Sequence, residues 1–314
     1  NMFVFHDIKG QLKIIENTDK NIFKYGAYSF YRNKNLRLKI NSSISKKNII
    51  DFYLKRKNLK TLNVYTNHDY NKANQENEAN NNFISKIKNN NKKKILYASH
   101  ALSDAAHSFG TKFVFTNYYD QLKRTLNFVN YQNKKNYIWI IKSHPNAKDK
   151  NENNILKNLV KSYKNKNIIL CPEGVSTNKL IELSDYIVSG RGTISLEAAC
   201  MGKVAINCGF STYSNLGLVY EASSKTQYFN YLKKISQLKK PDEKKIFFAK
   251  NALYILENDL IDHKKINSLL INQKVNKIFK KNTEEKEKLA YMFVSYIKDL
   301  KKLKNIIKSI SLSI

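Results

Sequence analysis

DYIVSGRGTISLEAACMGKVAINCGFSTYSNLGL, Asp185 to Leu218, is the stretch whose reading decides the fold. Tyr186 to Ser189 is an apolar, β-branched run. Gly190, Arg191 and Gly192 form a glycine-flanked turn, and Thr193 to Met201 has a helical pattern that Gly202 stops. Val204 to Asn207 is a second buried strand. Strand, turn, helix, strand is half of a parallel α/β unit, with its polar turn at the carboxyl edge where open sheets bind ligands. Thr193 is placed to cap the helix, the free amides of its first turn face the crevice, and Arg191 adds positive charge, so the turn suits an anion such as phosphate.

The same alternation runs upstream. Strands are expected at KILYASH (94–100), YIWIIKSH (137–144) and NIILCP (167–172), besides YIVSG (186–190) and VAINCG (204–209). Helices are expected at YYDQLKRTLNFVNYQ, NNILKNLVKSYKN, TNKLIELS and TISLEAACM. This period predicts an α/β doubly wound parallel sheet, Rossmann-like, over residues 93–240, with one ligand crevice along the carboxyl ends of the strands.

Outside it the pattern is weaker. Residues 1–92 read as a smaller N-terminal α/β section, with strands at MFVF, LKII, LRLKI and TLNVYT and a helix at SKKNIIDFYLKRKN. It closes on the low-complexity run KANQENEANNNFISKIKNNNKKK, read as a helix followed by a linker. The section is short for a complete α/β domain, and is expected to be reduced or truncated. Residues 241–314 read as C-terminal helices. The tail carries Leu289, Met292, Phe293, Tyr296, Ile297, Leu300 and Leu303 at helical spacing. It suits a helix packed on the body, or a lysine-rich helix resting on an anionic membrane.

The 314 residues hold 56 basic and 25 acidic side chains, a formal charge of +31. Lysine is spread over nearly every surface segment alongside asparagine, as the base composition of an A+T-rich genome produces. It is not clustered or interleaved with aromatics as nucleic-acid binding requires, so no nucleic-acid partner is expected. Attraction to anionic lipid or glycan is the other reading of the charge. Cys171, Cys200 and Cys208 fit no zinc spacing and read as buried free thiols of a reducing cytoplasm. No apolar run is long enough for a membrane span. The expected location is cytoplasmic, with peripheral contact at the inner face of the membrane.

Three strand ends carry polar clusters that would meet in the crevice. After the first comes SHALSDAAHSFG, with His100, Ser103, Asp104 and His107. Asp104 suits a general base or a cap on the following helix, whereas a metal site lacks supporting ligands. The second strand ends in Lys142-Ser143-His144-Pro145, where proline fixes the exit direction and leaves His144 at the lip to hydrogen-bond a phosphate, beside the Lys142 charge. In the third, Arg191, Gly192, Thr193 and Ser195 surround the anion turn. Glu197, one helical turn on, suits vicinal ribose hydroxyls or a solvated helix face. Tyr213 lies in the loop after the fifth strand, expected to close over the crevice.

In this order the motifs LSDAAHS, KSHP and GRGTISLEAACMGKVAINCGFSTYSNLGL resemble the GT-B glycosyltransferases of bacterial surface and capsular polysaccharides, most nearly the capsule-type Kdo (3-deoxy-manno-octulosonate) transferases. The resemblance covers about residues 93–235. It implies a donor-nucleotide domain at 93–240 and an acceptor-side section before it. It assigns Asp104 as catalytic base and His144, with Lys142 and Pro145, to the donor phosphate. Arg191, Gly192, Thr193 and Ser195 fall to the same phosphate, and Glu197 to the ribose. His100, Ser103, His107 and Tyr213 are secondary candidates. The chain departs from the family in having SHALSDAAHS where a Gln-rich, Asp-Ala-Ser loop is usual.

The implied function is an inverting, metal-independent transfer of a Kdo-like sugar from a CMP-linked donor to a glycan or glycolipid acceptor, with no cofactor beyond the donor. Three other readings stand: a CDP-glycerol or CDP-ribitol phosphotransferase of teichoic-acid type, a UDP-sugar epimerase, and a non-catalytic nucleotide or polyanion binder. The first of these would more typically show paired serines in the phosphate turn.

Overall fold

The computed structural model describes residues 3–8, 11–16, 30–40, 44–58, 78–104, 106, 113–132, 135–144, 147 and 152–258, with backbone alone for 3–8, 11–16, 30–33, 35, 55–58, 257 and 258. The chain falls into two compact units, residues 1–22, 63–67 and 261–314 in one and 23–62 with 68–260 in the other. In the first, β1 (Phe3–Ile8) and β2 (Gln11–Glu16) form an antiparallel hairpin in register from Phe3↔Glu16 to Ile8↔Gln11. The strand expected at TLNVYT, the amphipathic tail, His107 and Pro145 lie outside the described residues.

The second unit is built on a six-stranded sheet of β3 (Lys93–Ala98), β4 (Tyr137–Lys142), β5 (Ile168–Leu170), β6 (Tyr186–Ser189), β7 (Val204–Asn207) and β8 (Tyr220–Glu221). The spatial order is β5-β4-β3-β6-β7-β8, and every pairing is parallel. The chain winds outward from β3 to β5, returns to the other side of β3 and winds outward again. This is the doubly wound α/β sheet expected. The switch point lies between β3 and β6, the position at which open sheets of this kind bind ligands.

Parallel strands bury both faces, which is why these segments read as nearly continuous apolar runs. One face of the sheet presents Ile95, Tyr97, Trp139, Ile141, Val188 and Ile206 to α4 (Tyr118–Gln132), α5 (Glu152–Ser162) and α8 (Lys225–Lys233). The other presents Leu96, Ile138, Ile140, Ile187 and Ala205 to α3 (Glu78–Lys88), α6 (Thr177–Leu183) and α7 (Ile194–Cys200). The helix read out of the low-complexity run is thus α3, and its Phe83, Ile84 and Ile87 pack against the sheet. A last helix, α9 (Glu243–Asn258), packs on α7 and on α2 (Lys46–Asn58). Divisions at 92/93 and 240/241 fall inside this compact unit.

One expected strand is corrected. LRLKI lies in and just after helix α1 (Phe30–Lys39). Leu36 and Ile40 are buried and Leu38 is 66% exposed. That separates positions i and i+4 from i+2, which a helix does and a strand cannot. The two-residue strand β8 carries too little sequence signal to be read in advance. The cysteines are free and buried, as expected. No helix of the described residues is long and apolar enough to cross a membrane.

Two glycines are set by close approach. Gly202 ends α7 at φ +70°, and a Cβ there would stand 3.0 Å from Ile246 of α9. At Gly190 a Cβ would stand 2.9 Å from the Tyr118 ring and 3.3 Å from Gln121 Oε1. Gly190→Ala is expected to displace Tyr118 and destabilise the protein by about 1–3 kcal/mol, the usual cost of overpacking. Thermal denaturation checks this, and an unchanged midpoint would mean that the ring yields freely.

Candidate functional site

The loop leaving β3 carries Ser99 to Asp104. Its course is fixed by Glu152, the first residue of α5, which is 4% exposed. The Glu152 carboxylate accepts the amide N–H of Leu102 at 2.6 Å and of Ser103 at 2.9 Å. A buried carboxylate satisfied by two amides is a strong clamp, since bonds to a charged acceptor each contribute about 1.5–3 kcal/mol. Inside this loop His100 Nδ1 lies 3.1 Å from Asp104 Oδ2. The His100 side chain is 9% exposed and that of Asp104 42%.

Tyr118, at the start of α4, joins this loop to the anion turn. Its ring lies against His100 at 4.2 Å between centroids and 11° between planes. Its hydroxyl accepts from Arg191 Nε at 2.8 Å. His144, at the exit of β4, has its ring near-parallel to His100 at 5.8 Å. The structure therefore gathers Asp104, His100, His144 and the 190–192 turn at the switch point. Burial, and secondarily the neighbouring His100, lower the His144 pKa to about 4. At neutral pH this imidazole is uncharged, so it can serve a phosphate as an N–H donor and not as a cation.

Several expected ligands sit elsewhere. Arg191 is 1% exposed and packs its side chain between Tyr118 and Gly209, so its charge is held beneath the turn and not displayed in the crevice. Lys142 Nζ donates to the Val175 carbonyl at 3.0 Å, and burial lowers its pKa. Thr193 has helical backbone angles and makes no side-chain cap bond. Ser195 is fully buried and donates to Asn207 Oδ1 at 2.6 Å. Asn207 Nδ2 donates to the Tyr213 hydroxyl at 2.9 Å, and that hydroxyl donates to the Gly192 carbonyl. Ser195 and Tyr213 thus belong to a buried chain of hydrogen bonds that fixes the turn from below. The loop after β7 is no flap, because Ser211, Thr212, Tyr213 and Ser214 are all buried in the body. Glu197 is half-buried on the first turn of α7, and its amide donates to the Thr193 carbonyl at 2.9 Å.

Two organising residues escape sequence reasoning. Glu152 sits in an unremarkable helix start, and its partners lie 49 and 50 residues away. Tyr118 reads as one aromatic among many, though Gly190 is a trace of the bulky ring that must fit beside it. Among the described residues no group of three or more His, Cys, Asp or Glu is gathered as a metal site would need.

A doubly wound sheet with polar loops at its switch point defines the class of α/β protein that binds ligands at strand carboxyl ends. Residues 19–261 match the family model of capsule polysaccharide biosynthesis proteins, and the chain belongs to that family. Similar solved structures include a KpsC β-Kdo 2,4-transferase of Thermosulfurimonas dismutans, at 12% identity and TM-score 0.33, over 74% of this chain and 59% of that one. The wall teichoic acid polymerase TagF matches at 17% identity and TM-score 0.35, over 77% and 53%. The UDP-GlcNAc 2-epimerase of Methanocaldococcus jannaschii matches at 14% and 0.39, over 58% and 49%. The chain thus spans 59% or less of the length of each of these three. Superpositions this loose do not carry a substrate or reaction across. No curated protein matches the chain.

The neutral His144 has a stability consequence whose sign is fixed. Its folded pKa of about 4 lies below the ordinary value of 6.5, so between these the unfolded chain binds the extra proton. Stability is then lost as pH falls from 6.5 towards 4, by at most roughly 3 kcal/mol at about 1.4 kcal/mol per pH unit. Urea denaturation of the protein and of His144→Asn across this range checks it. The wild type should lose more than the variant, and parallel losses would place the titration elsewhere.

Proposed function

We propose that this chain is a GT-B glycosyltransferase of capsule or related surface-polysaccharide assembly, moving a Kdo-like sugar from a CMP-linked donor to a glycan or glycolipid acceptor. The observation that carries this reading is the convergence of Asp104 and His144 on the His100 ring beside the 190–192 turn. Family membership and the ordered motifs support it.

In this reading Asp104, partly exposed at the crevice, accepts the proton of the acceptor hydroxyl. The hydroxyl oxygen attacks the anomeric carbon as the bond from that carbon to the nucleotide phosphate oxygen breaks, with the electron pair leaving on the phosphate. The His144 N–H, and the backbone amides around Gly192 held up by Tyr213, stabilise the phosphate charge that develops. Such fixed donors in a partly dry site replace a metal. Arg191 acts from below, through Tyr118 and the turn, and Glu197 is assigned to the ribose. A single displacement with one base inverts the anomeric centre. The reaction would run in the cytoplasm, with the lysine-rich surface favouring an acceptor held at an anionic membrane.

The test is thermal stabilisation by CMP, CDP, UDP and GDP, followed by transfer from the matching nucleotide sugar with and without EDTA. CMP should stabilise most, EDTA should leave turnover unchanged, and Asp104→Asn should lower kcat by about 10²–10⁴-fold while keeping CMP stabilisation. A covalent sugar adduct on Asp104 with retained configuration would replace inversion by double displacement. Absence of stabilisation by any nucleotide, with salt-sensitive RNA binding instead, would overturn the reading.

A further inference from the structure

We infer that His100 is the positioning residue of the site, holding the Asp104 carboxylate through one hydrogen bond and seating the His144 ring through its own ring, two tasks that separate by mutation. This rests on the reading of Asp104 as the base.

An aspartate whose side chain is 42% exposed samples several rotamers unless something fixed holds it. His100 Nδ1, 3.1 Å from Oδ2, is that holder. An Nδ1–H donor on Oδ2 fixes the rotation of the carboxylate that receives the incoming hydroxyl proton. The donor is itself immobile. Its side chain is 9% exposed and its ring lies flat against Tyr118, which is 1% exposed and tied to Arg191. Its carbonyl accepts from Ser99 Oγ at 2.8 Å.

The His100–Asp104 bond is not needed to fold the loop between them. Glu152 already holds the Leu102 and Ser103 amides, and a hydrogen bond to a carboxylate that is 42% exposed adds little stability. What the bond does fix is the direction of one carboxylate. The near-parallel approach of the His144 ring, 5.8 Å from the same imidazole, makes one side chain responsible for the aim of both the base and the phosphate-facing histidine.

Two variants divide these tasks. His100→Phe keeps an aromatic ring against Tyr118 and His144 but removes the donor. It should lower kcat by about 10- to 100-fold while leaving the donor KM and the nucleotide-induced thermal shift within about twofold. His100→Gln restores an amide donor without the ring. It should recover most of kcat while raising the donor KM several-fold. Wild-type kcat in His100→Phe, or equal loss of kcat in both variants, overturns the inference. A measurement independent of turnover is the tautomer of His100 by ¹⁵N-histidine NMR. The proton is expected on Nδ1 in the wild type and is expected to leave it in Asp104→Asn. An unprotonated Nδ1 in the wild type overturns the inference. If the wild type transfers no sugar from any donor, the proposed reaction fails while the tautomer still decides the pair.

Discussion

The pairing of β3 with β6, from Ile95↔Tyr186 to Ala98↔Ser189, is the contact on which the rest depends. These strands are neighbours in space but are separated in the chain by β4, β5 and three helices, so their parallel ladder closes a long loop of chain. Closing it brings Ser99 and Gly190, the residues after the two strands, side by side at one edge. His100, Asp104, His144 and the 190–192 turn all depart from that edge or from the end of β4 beside it. Loss of the ladder would leave the crevice without two opposed walls.

On that foundation the site is assembled largely from side chains that do not meet the ligand crevice. Tyr118 fills the space that Gly190 leaves and is at once a surface for His100 and an acceptor for Arg191. Tyr213, Asn207 and Ser195 hold the turn from beneath through two buried bonds and a part-buried one to the Gly192 carbonyl. Buried polar groups are costly unless paired, and a fully paired network imposes one arrangement on the backbone it touches. The exposed members, Asp104 above all, are therefore few and sit on a rigid base.

This division explains what the sequence made legible. Five of the six sheet strands were readable because a parallel sheet buries both faces and leaves uninterrupted runs such as IWII and YIVS. Helix α4 was readable residue for residue, from Tyr118 to Gln132. The turn at Gly190 to Gly192 was recognisable because glycines mark close backbone approach. The direction of individual polar side chains was not readable. Arg191, Ser195 and Tyr213 are the right types at the right positions for anion binding, yet they point into the body, because contacts with Tyr118 and Asn207 decide their orientation. Glu152 lacked a signal for the same reason: its partners are amides, which have no sequence identity. LRLKI alternates as a strand would and also repeats at i and i+4, and only the neighbouring helices settle which periodicity is used.

The Glu152 clamp has a consequence for how such a chain can vary. The segment from His144 to Glu152 starts at the histidine beside His100 and ends at the carboxylate that holds the loop bearing Asp104. Both ends are held by the body, His144 beside the His100 ring and Glu152 by two amides, so the spacing of the two sides is set by these contacts. Lysines on the outer faces of α4 and α5 are free to drift with base composition. Glu152, by contrast, cannot change without releasing the Leu102 and Ser103 amides, so base composition has no such freedom there.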